Sequence, residues 1–320
     1  MNKSSQDPAI LEKLELLEAK FNAMGQDLSS YLDGLLYADY LTYWDYIHLD
    51  TLLSLQTPRT PFPDEQIFIT YHQITELYFK LILAEMSQIS AMDRPNEKEF
   101  LMRLQRVNRY FQHLAHSFDI MVEGMEPSQF LKFRMSLLPA SGFQSAQYRL
   151  IEIQACPLIN LVHISQREKL AKASVEEQYE QIYWKFGATE LATGKKTLTL
   201  NQFEKKYSES FIQTAKNYLS SNIGYLYEIH YSNTNLSDKI KHALREFDVL
   251  ANINWPLSHY KSAVRYLQKD PEDIAATGGT NWQKYLPPRF QKVMFFPKLW
   301  AEAETSEWGK AWVVKEVFNQ

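Results

Sequence analysis

Residues 64–86 have the sequence DEQIFITYHQITELYFKLILAEM, whose periodicity is typical of a long helix. Three prolines in the preceding segment, QTPRTPFPD, predict a loop before it. Asp64 stands where an N-cap is expected, so the helix is predicted over about 65–92. The residues predicted to form its buried stripe are Ile67, Tyr71, Ile74, Tyr78 and Leu81.

Helical patterns continue on both sides of this stretch. The other helices are predicted over 8–30, 44–56, 96–123, 127–138, 143–155, 167–184, 204–222, 236–268 and 288–302. Residues 187–203 are the least helical part and predict a loop or a small hairpin, and 270–280 predict a loop. We see neither an internal repeat nor a shift in composition, so we expect one all-α helical-bundle domain over 1–320.

Composition excludes several classes of protein. The 320 residues carry a net charge of −4 with no basic stripe, so nucleic acid is not an expected partner. Cys156 is the one cysteine, which excludes a disulfide within the chain and a cysteine-rich zinc or iron–sulfur site. The sequence has no run of about 18 apolar residues and no segment of signal-peptide type, so we expect no membrane span and a cytoplasmic location.

Eight histidines are the first candidates for chemistry. His72 shares a predicted helical face with Phe68 and Glu76, which fits a pocket wall. The pattern alone favours the alternative, a buried histidine bonded to Glu76 or to another helix. His113 and His116 are three residues apart and share a face, but a pair of solvated or core-edge histidines is the favoured interpretation.

Haem requires only one proximal histidine and no spacing motif, so pattern reasoning neither predicts nor excludes a haem site at His259. Residues 133–152, FRMSLLPASGFQSAQYRLIE, place Arg134 just before a predicted turn. An arginine there can bind a carboxylate in a two-pronged contact, although pairing with an acidic residue is favoured on pattern alone. Thr277 lies in the small-residue segment ATGGT, for which a plain interhelix loop is favoured over a ligand-closing loop.

Four segments taken together resemble the tryptophan 2,3-dioxygenase family in order and spacing. They are LTYWDYIHLDTLLSLQ (41–56), DEQIFITYHQITELYFKLILAEM (64–86), FRMSLLPASGFQSAQYRLIE (133–152) and TGGT (277–280). The SGFQSxQxR core with its upstream FR and the HQxxELxxK helix are the specific motifs. The resemblance is strong over about 40–155 and weaker over about 245–302, and 160–240 match little.

The resemblance implies a helical haem enzyme of the tryptophan/indoleamine 2,3-dioxygenase type. Its cofactor would be haem b, and it would insert O₂ across the indole C2–C3 bond of L-tryptophan to give N-formylkynurenine, a step of tryptophan catabolism in the kynurenine pathway. The family is a homotetramer, so we expect residues 1–50 to pack on a neighbouring subunit.

Individual roles follow by position in the family's motifs. His259 would be the proximal ligand of the haem iron, and His72 the distal histidine near the indole NH. Phe68 would wall the indole pocket, Arg134 would hold the substrate carboxylate, and Thr277 would contact the substrate ammonium and carboxylate. The further pocket residues would be Leu137, Ser141 and Gly142. The residues that would reach a neighbouring subunit's site are Tyr43, Tyr46 and Ile47.

The chain departs from the family's pattern near the predicted loop. The segment KDPEDIAATGGT replaces a basic, glycine-containing run that ends in GTGGS, and Pro256 is unusual so close to His259. Phe130 stands where some members have a pocket tyrosine. Two alternatives therefore stay open: a related haem enzyme that oxygenates another aromatic amino acid or indole derivative, and a non-catalytic haem-binding helical protein.

Overall fold

Helices account for the regular structure of the part of the chain that the computed structural model describes, residues 7–38, 41–91, 96–137, 142–189, 195–267 and 288–309. Within these ranges β pairing is limited to two isolated antiparallel bridges, Val162–Ile182 and Thr189–Lys196. The all-α prediction is confirmed. None of the described helices is both long and apolar enough to cross a bilayer.

The chain divides into two units, 1–55 and 56–320. The helices of the first unit are α1 (Pro8–Ala23), α2 (Leu28–Leu36), α3 (Tyr43–Tyr46) and α4 (Leu49–Leu53). One helix over 8–30 was the wrong prediction, because Gly25 adopts a positive φ of 67° and Asp27 caps a new helix through Ser30 N at 2.9 Å. None of these four helices buries a residue.

The second unit is built around α5 (Asp64–Ser90). The predicted N-cap is wrong by one residue: Pro63 is the cap, and the Asp64 carboxylate instead accepts a hydrogen bond from Glu126 N at 2.6 Å. The predicted stripe is partly wrong, since Ile74 and Leu81 are 38% and 47% exposed. The face that is buried consists of Glu65, Tyr71, Thr75, Phe79, Ile82, Glu85, Met86 and Ile89.

The remaining helices of this unit pack on α5 and on one another. They are α6 (Glu97–Ser117), α7 (Asp119–Glu123), α8 (Pro127–Phe133), α9 (Ala146–Ala155), α10 (Val175–Glu180), α11 (Tyr183–Gly187), α12 (Leu198–Asn217), α13 (Ile223–Leu226), α14 (Ser237–Val249) and α15 (Trp255–Leu267), with short helices at Pro288–Gln291 and Glu302–Ser306. The helices α6 and α9 pack against α5, α14 packs against α6, and α12 packs against α9. One apolar core runs through these contacts.

The segment 167–184 differs most from its prediction as a polar helix. Its first residues form turns, α10 begins after Ser174 with a capping box to Glu177, and α11 starts at Tyr183. Trp184 is 5% exposed, so this segment contributes to the core. The predicted loop at 270–280 lies outside the described residues.

A π-helical turn, Leu250–Asn254, joins α14 to α15. Trp255 N–H donates to the Leu250 carbonyl, five residues back, where an α-helix would use Ala251. Pro256 has no N–H to donate and its ring clashes with a regular preceding turn, so the wider turn accommodates it. The predicted helix over 236–268 is therefore continuous but locally widened just before His259.

Asp248, near the end of α14, binds the segment 295–300 to this helix. Its buried carboxylate accepts hydrogen bonds from Phe295 N at 2.7 Å, Phe296 N at 3.1 Å and Trp300 Nε1 at 2.9 Å. Asn252 Nδ2 donates a fourth bond at 2.8 Å. Two donors thus meet each carboxylate oxygen, which compensates for much of the cost of burying the charge.

Candidate functional site

His72 lies in the middle of α5 with its ring against Phe68, the two ring centroids being 4.1 Å apart. Its Nδ1 is 2.7 Å from the Phe68 carbonyl oxygen, so the alternative bond to Glu76 is not formed. A carbonyl only accepts, so Nδ1 carries the proton and the neutral ring presents a lone pair on Nε2.

The His72 side chain is accessible but closely surrounded by protein. Its side chain is exposed, yet desolvation by the surrounding protein lowers the pKa of the imidazole. The bond to the Phe68 carbonyl and, to a smaller extent, the Glu76 carboxylate oppose this shift. The side chain is thus accessible to a ligand, while enough protein surrounds it to disfavour its charged form. The ring is therefore neutral at pH 7 and can act as a hydrogen-bond acceptor.

His259, on α15, has the same arrangement. Its Nδ1 is 3.1 Å from the Trp255 carbonyl oxygen, which again leaves the lone pair on Nε2. Burial, together with a smaller effect of nearby His72, lowers the pKa of His259 to about 4, against an opposing effect of the bond to Trp255. The two imidazoles thus lie close enough to interact electrostatically, although the sequence separates them by almost 190 residues.

Aromatic rings surround His259. The rings of Trp255 and Phe118 lie 4.4 Å and 4.6 Å from its imidazole. Phe118 also contacts Tyr71 of α5 at 5.6 Å, and this links the two histidine-bearing helices. Sequence analysis missed Phe118 and Trp255, because an aromatic residue on a helix is far more often core than pocket.

Arg134 begins the 3₁₀ turn Arg134–Leu137 directly after α8 and is 7% exposed. Its neighbour Phe133 is fully buried, with its ring 5.8 Å from that of Phe68. The guanidinium is therefore on a chain segment that packs against the His72 side of α5. Phe130 contributes another ring, 6.3 Å from Phe68.

The other predicted pocket residues divide into three groups. Leu137 is half-buried against the core, and Gly142 opens the short 3₁₀ turn Gly142–Gln144. Ser141 and Thr277 lie outside the described residues. The N-terminal candidates Tyr43, Tyr46 and Ile47 belong to the first unit, where both tyrosines are more than 70% exposed and Ile47 is half-buried.

The SGFQSxQxR segment and the HQxxELxxK helix contact each other. Gln147 Nε2 donates to the backbone oxygen and to the carboxylate of Glu76, both at 2.8 Å. Arg149 instead forms a buried ion pair with Glu152, with 3.1 Å between the guanidinium nitrogen and the carboxylate oxygen. Tyr183 completes this cluster by donating to Glu152 at 2.5 Å. Arg149 is thus structural, and Gln147 ties α9 to α5 one turn beyond His72.

The described residues fit a haem better than an ion held by side chains alone. Among them no cluster of three or more His, Cys, Asp or Glu side chains is found, and His113 and His116 are exposed to solvent. Haem binding requires one neutral imidazole and an apolar cleft. His259 supplies such an imidazole, with its other ring nitrogen fixed by a backbone carbonyl.

Comparison with known proteins agrees with the motifs. Residues 34–160 match the family model described as tryptophan 2,3-dioxygenase. A tryptophan 2,3-dioxygenase from Ruegeria sp. (strain TM1040) is 28% identical over 277 residues, 82% of this chain and 92% of the relative. Over most of its length the chain is thus similar to a tryptophan 2,3-dioxygenase.

Other tryptophan 2,3-dioxygenases match this chain over a shorter stretch. Those from Polaromonas naphthalenivorans (strain CJ2) and Anaeromyxobacter sp. (strain K) are 39% and 42% identical over 113 residues. These stretches cover 35% of this chain and 40% and 42% of the two relatives. Similarity is therefore concentrated in about a third of the chain, while the match to the Ruegeria protein extends over most of it.

Proposed function

We propose that this protein is a haem-dependent dioxygenase that converts L-tryptophan and O₂ to N-formylkynurenine. The observation that carries the proposal is the pair His72 and His259. Both are neutral imidazoles with Nδ1 bonded to a backbone carbonyl, and they lie close enough for a charge on one to disfavour a charge on the other. The names of the relatives, tryptophan 2,3-dioxygenases, point to the same reaction.

His259 would bind the iron of haem b through Nε2. Its bond to the Trp255 carbonyl fixes the orientation of the ring and raises the basicity of the ligating nitrogen. When bound, the haem supplies the iron that binds and activates O₂, and the protein supplies binding and orientation. Phe118 and Trp255 would pack beside the ligand and exclude water from it.

His72 would accept a hydrogen bond from the indole NH through the lone pair on Nε2. Its role is to orient the ring rather than to remove the proton, because a neutral imidazole with a lowered pKa is a weak base. Phe68 stacks closely on His72 and would form the adjacent wall of the indole pocket. Together they hold the C2–C3 bond over the cofactor, which is a proximity effect.

Arg134 would bind the substrate carboxylate. A buried guanidinium forms two parallel, charge-assisted hydrogen bonds with a carboxylate, and this geometry fixes both position and direction. Leu137, Ser141 and Gly142 would line the pocket beyond it, and Thr277 would contact the ammonium and carboxylate groups. These four assignments rest on the family resemblance.

The first unit would complete the enzyme as part of a homotetramer in the cytoplasm. Its four helices bury none of their own residues, which leaves Leu35, Leu36 and Tyr37 at 70%, 80% and 87% exposure. So much exposed apolar surface is typical of a protein interface. Tyr43, Tyr46 and Ile47 would reach the site of a neighbouring subunit.

A comparison of L-tryptophan with tryptamine tests the proposed substrate. Tryptamine keeps the indole and the ammonium group but lacks the carboxylate that Arg134 would bind. The haem-loaded, reduced protein should convert L-tryptophan in air to a product with two added oxygen atoms and should convert tryptamine at least about a hundredfold less efficiently. If the haem is intact and the product has gained only one oxygen atom, or no product forms, the proposal is contradicted. The substrate would then be another aromatic compound.

A further inference from the structure

The carbonyl of Ala251 has no backbone hydrogen-bond donor in either of the two helical registers available to it. In an α-helix its donor would be Trp255 N–H, but that group bonds to Leu250 instead. In the π-helical register its donor would be residue 256, which is proline and has no N–H. Because Ala251 is fully buried, water cannot replace the missing donor.

Tyr148, on α9, supplies the donor. Its hydroxyl donates to the Ala251 carbonyl oxygen at 2.8 Å, and the tyrosine is 6% exposed. Burial raises the pKa of Tyr148 well above its ordinary value, so the phenol keeps its proton. A single side chain from another helix thus satisfies the backbone group that Pro256 leaves unpaired.

The π-helical turn is also next to the carbonyl that orients His259, the proposed haem ligand. Trp255 is one turn after Ala251, and its carbonyl accepts the bond from His259 Nδ1. Tyr148 and Trp255 also pack on the same ring, that of Phe79, with centroids 5.4 Å and 5.8 Å away. Displacement of the turn at Ala251 would therefore tilt the Trp255 carbonyl and, with it, the imidazole of His259.

We propose that Tyr148 is a positioning residue for His259, acting through the Ala251 carbonyl and the π-helical turn. This inference rests on the proposed function, since it concerns the histidine that would bind haem. It assigns Tyr148, a residue within the SGFQSAQYR segment, to the proximal side of the haem. Neither His72 nor Arg134 is involved, so substrate contacts should be unaffected.

The first test compares Tyr148→Phe with Tyr179→Phe. Tyr179 is also buried, and its hydroxyl lies 3.2 Å from the Ser208 hydroxyl, in a part of the unit built from α10 and α12. Tyr148→Phe should shift or broaden the iron–histidine stretching band of the ferrous haem protein and speed haem dissociation about tenfold. Tyr179→Phe should change the melting temperature alone. An unchanged band and rate in Tyr148→Phe would overturn the inference.

The second test combines Tyr148→Phe with Pro256→Ala. Alanine at 256 restores a backbone N–H that can reach the Ala251 carbonyl, so the hydroxyl of Tyr148 becomes dispensable. In the Pro256→Ala background, Tyr148→Phe should change the haem dissociation rate less than about twofold. An equal effect in both backgrounds would show that the hydroxyl acts elsewhere.

The double variant also covers the case in which Tyr148→Phe alone fails to fold. Recovery of folded, haem-binding protein in Tyr148→Phe/Pro256→Ala would then support the inference, and failure of both would overturn it. The proposed function is tested separately by the wild-type spectrum. If the wild-type ferrous protein has no iron–histidine band, the haem assignment itself is wrong, whatever the variants do.

Discussion

At the scale of single residues, both site histidines are defined by what their Nδ1 atoms contact. Each donates to the carbonyl four residues earlier on its own helix, which fixes the tautomer and directs Nε2 outward. Neither could be chosen from its local pattern, since one histidine on a helix is an ordinary residue. The resemblance to the family pointed to His72 and His259, and the structure adds that a charge on one imidazole would disfavour a charge on the other.

His259→Ala should abolish stoichiometric haem binding, because it removes the imidazole that would bind the iron. Replacement of the exposed His113 by alanine is the matched control and should leave the haem content unchanged. His72→Ala should keep the haem and lose activity. Soret absorbance per protein after purification measures the haem content of all three variants, and product formation from L-tryptophan measures the activity of His72→Ala. A normal haem content in His259→Ala would refute the ligand assignment.

Arg134→Ala should raise KM for L-tryptophan by about a hundredfold or more while sparing haem content. The reason is that loss of one partner of a buried charge pair leaves the substrate carboxylate without its counter-charge. The variant should also discriminate much less between L-tryptophan and tryptamine. Steady-state kinetics gives kcat/KM for both substrates. If the ratio of the two values is the same as in the wild type, another group binds the carboxylate.

At the scale of elements, most helices could be predicted, but the environment of their faces could not. On α5 the predicted stripe included Ile74 and Leu81, which are exposed, and omitted Phe79 and Ile82, which are buried. The helix is apolar on more than one face, so periodicity could not tell which face meets the core. Pro256 indicated an irregularity, yet the hydrogen bond that satisfies the Ala251 carbonyl in the π-helical turn comes from a residue distant in sequence, Tyr148.

Asp248→Asn should destabilise the fold by about 3 kcal/mol at pH 7. Each carboxylate oxygen accepts two hydrogen bonds, so in either orientation an asparagine would point its NH₂ group at two donors. Denaturant unfolding of the haem-free protein measures the loss. Asn252→Ala is a comparison that removes one donor and leaves both backbone bonds, and it should cost less.

The stability advantage of the wild type over Asp248→Asn should also depend on pH. Burial raises the pKa of Asp248 to about 6, from 3.8. The native state then binds the proton more tightly than the unfolded state, so stability falls as pH rises from about 4 to about 6 and is level above that. Unfolding curves of both proteins across this range test the sign, and an advantage that grows with pH there would contradict it.

At the scale of the whole molecule, the division at residue 55 separates a unit with a core from one without. Sequence analysis predicted a single domain over 1–320 and a first segment that packs on a neighbour, and both stay predictions. The amphipathic pattern of α1 and α2 could not indicate what they cover, because an apolar stripe looks the same whether it faces its own chain or another.

The double substitution Leu35→Ser/Leu36→Ser should reduce the size of the oligomer. These side chains are 70% and 80% exposed, and their burial on another copy would be worth about 1.5–3 kcal/mol each. Lys13→Ser/Glu15→Ser, on the exposed surface of α1, is the matched control and should keep the wild-type mass. Light scattering after size-exclusion chromatography measures the molar mass of both variants. A tetramer that survives the leucine substitutions would remove these residues from the interface.

The most direct test of the central claim is the isotopic mass of the product formed under ¹⁸O₂. Reduced, haem-loaded protein is mixed with L-tryptophan and ¹⁸O₂ in ordinary water, and the product is analysed promptly by mass spectrometry. We predict a product that has gained two ¹⁸O atoms and lost none of the atoms of the substrate. A product that carries one ¹⁸O, or no conversion by protein whose haem is bound through His259, would contradict the account.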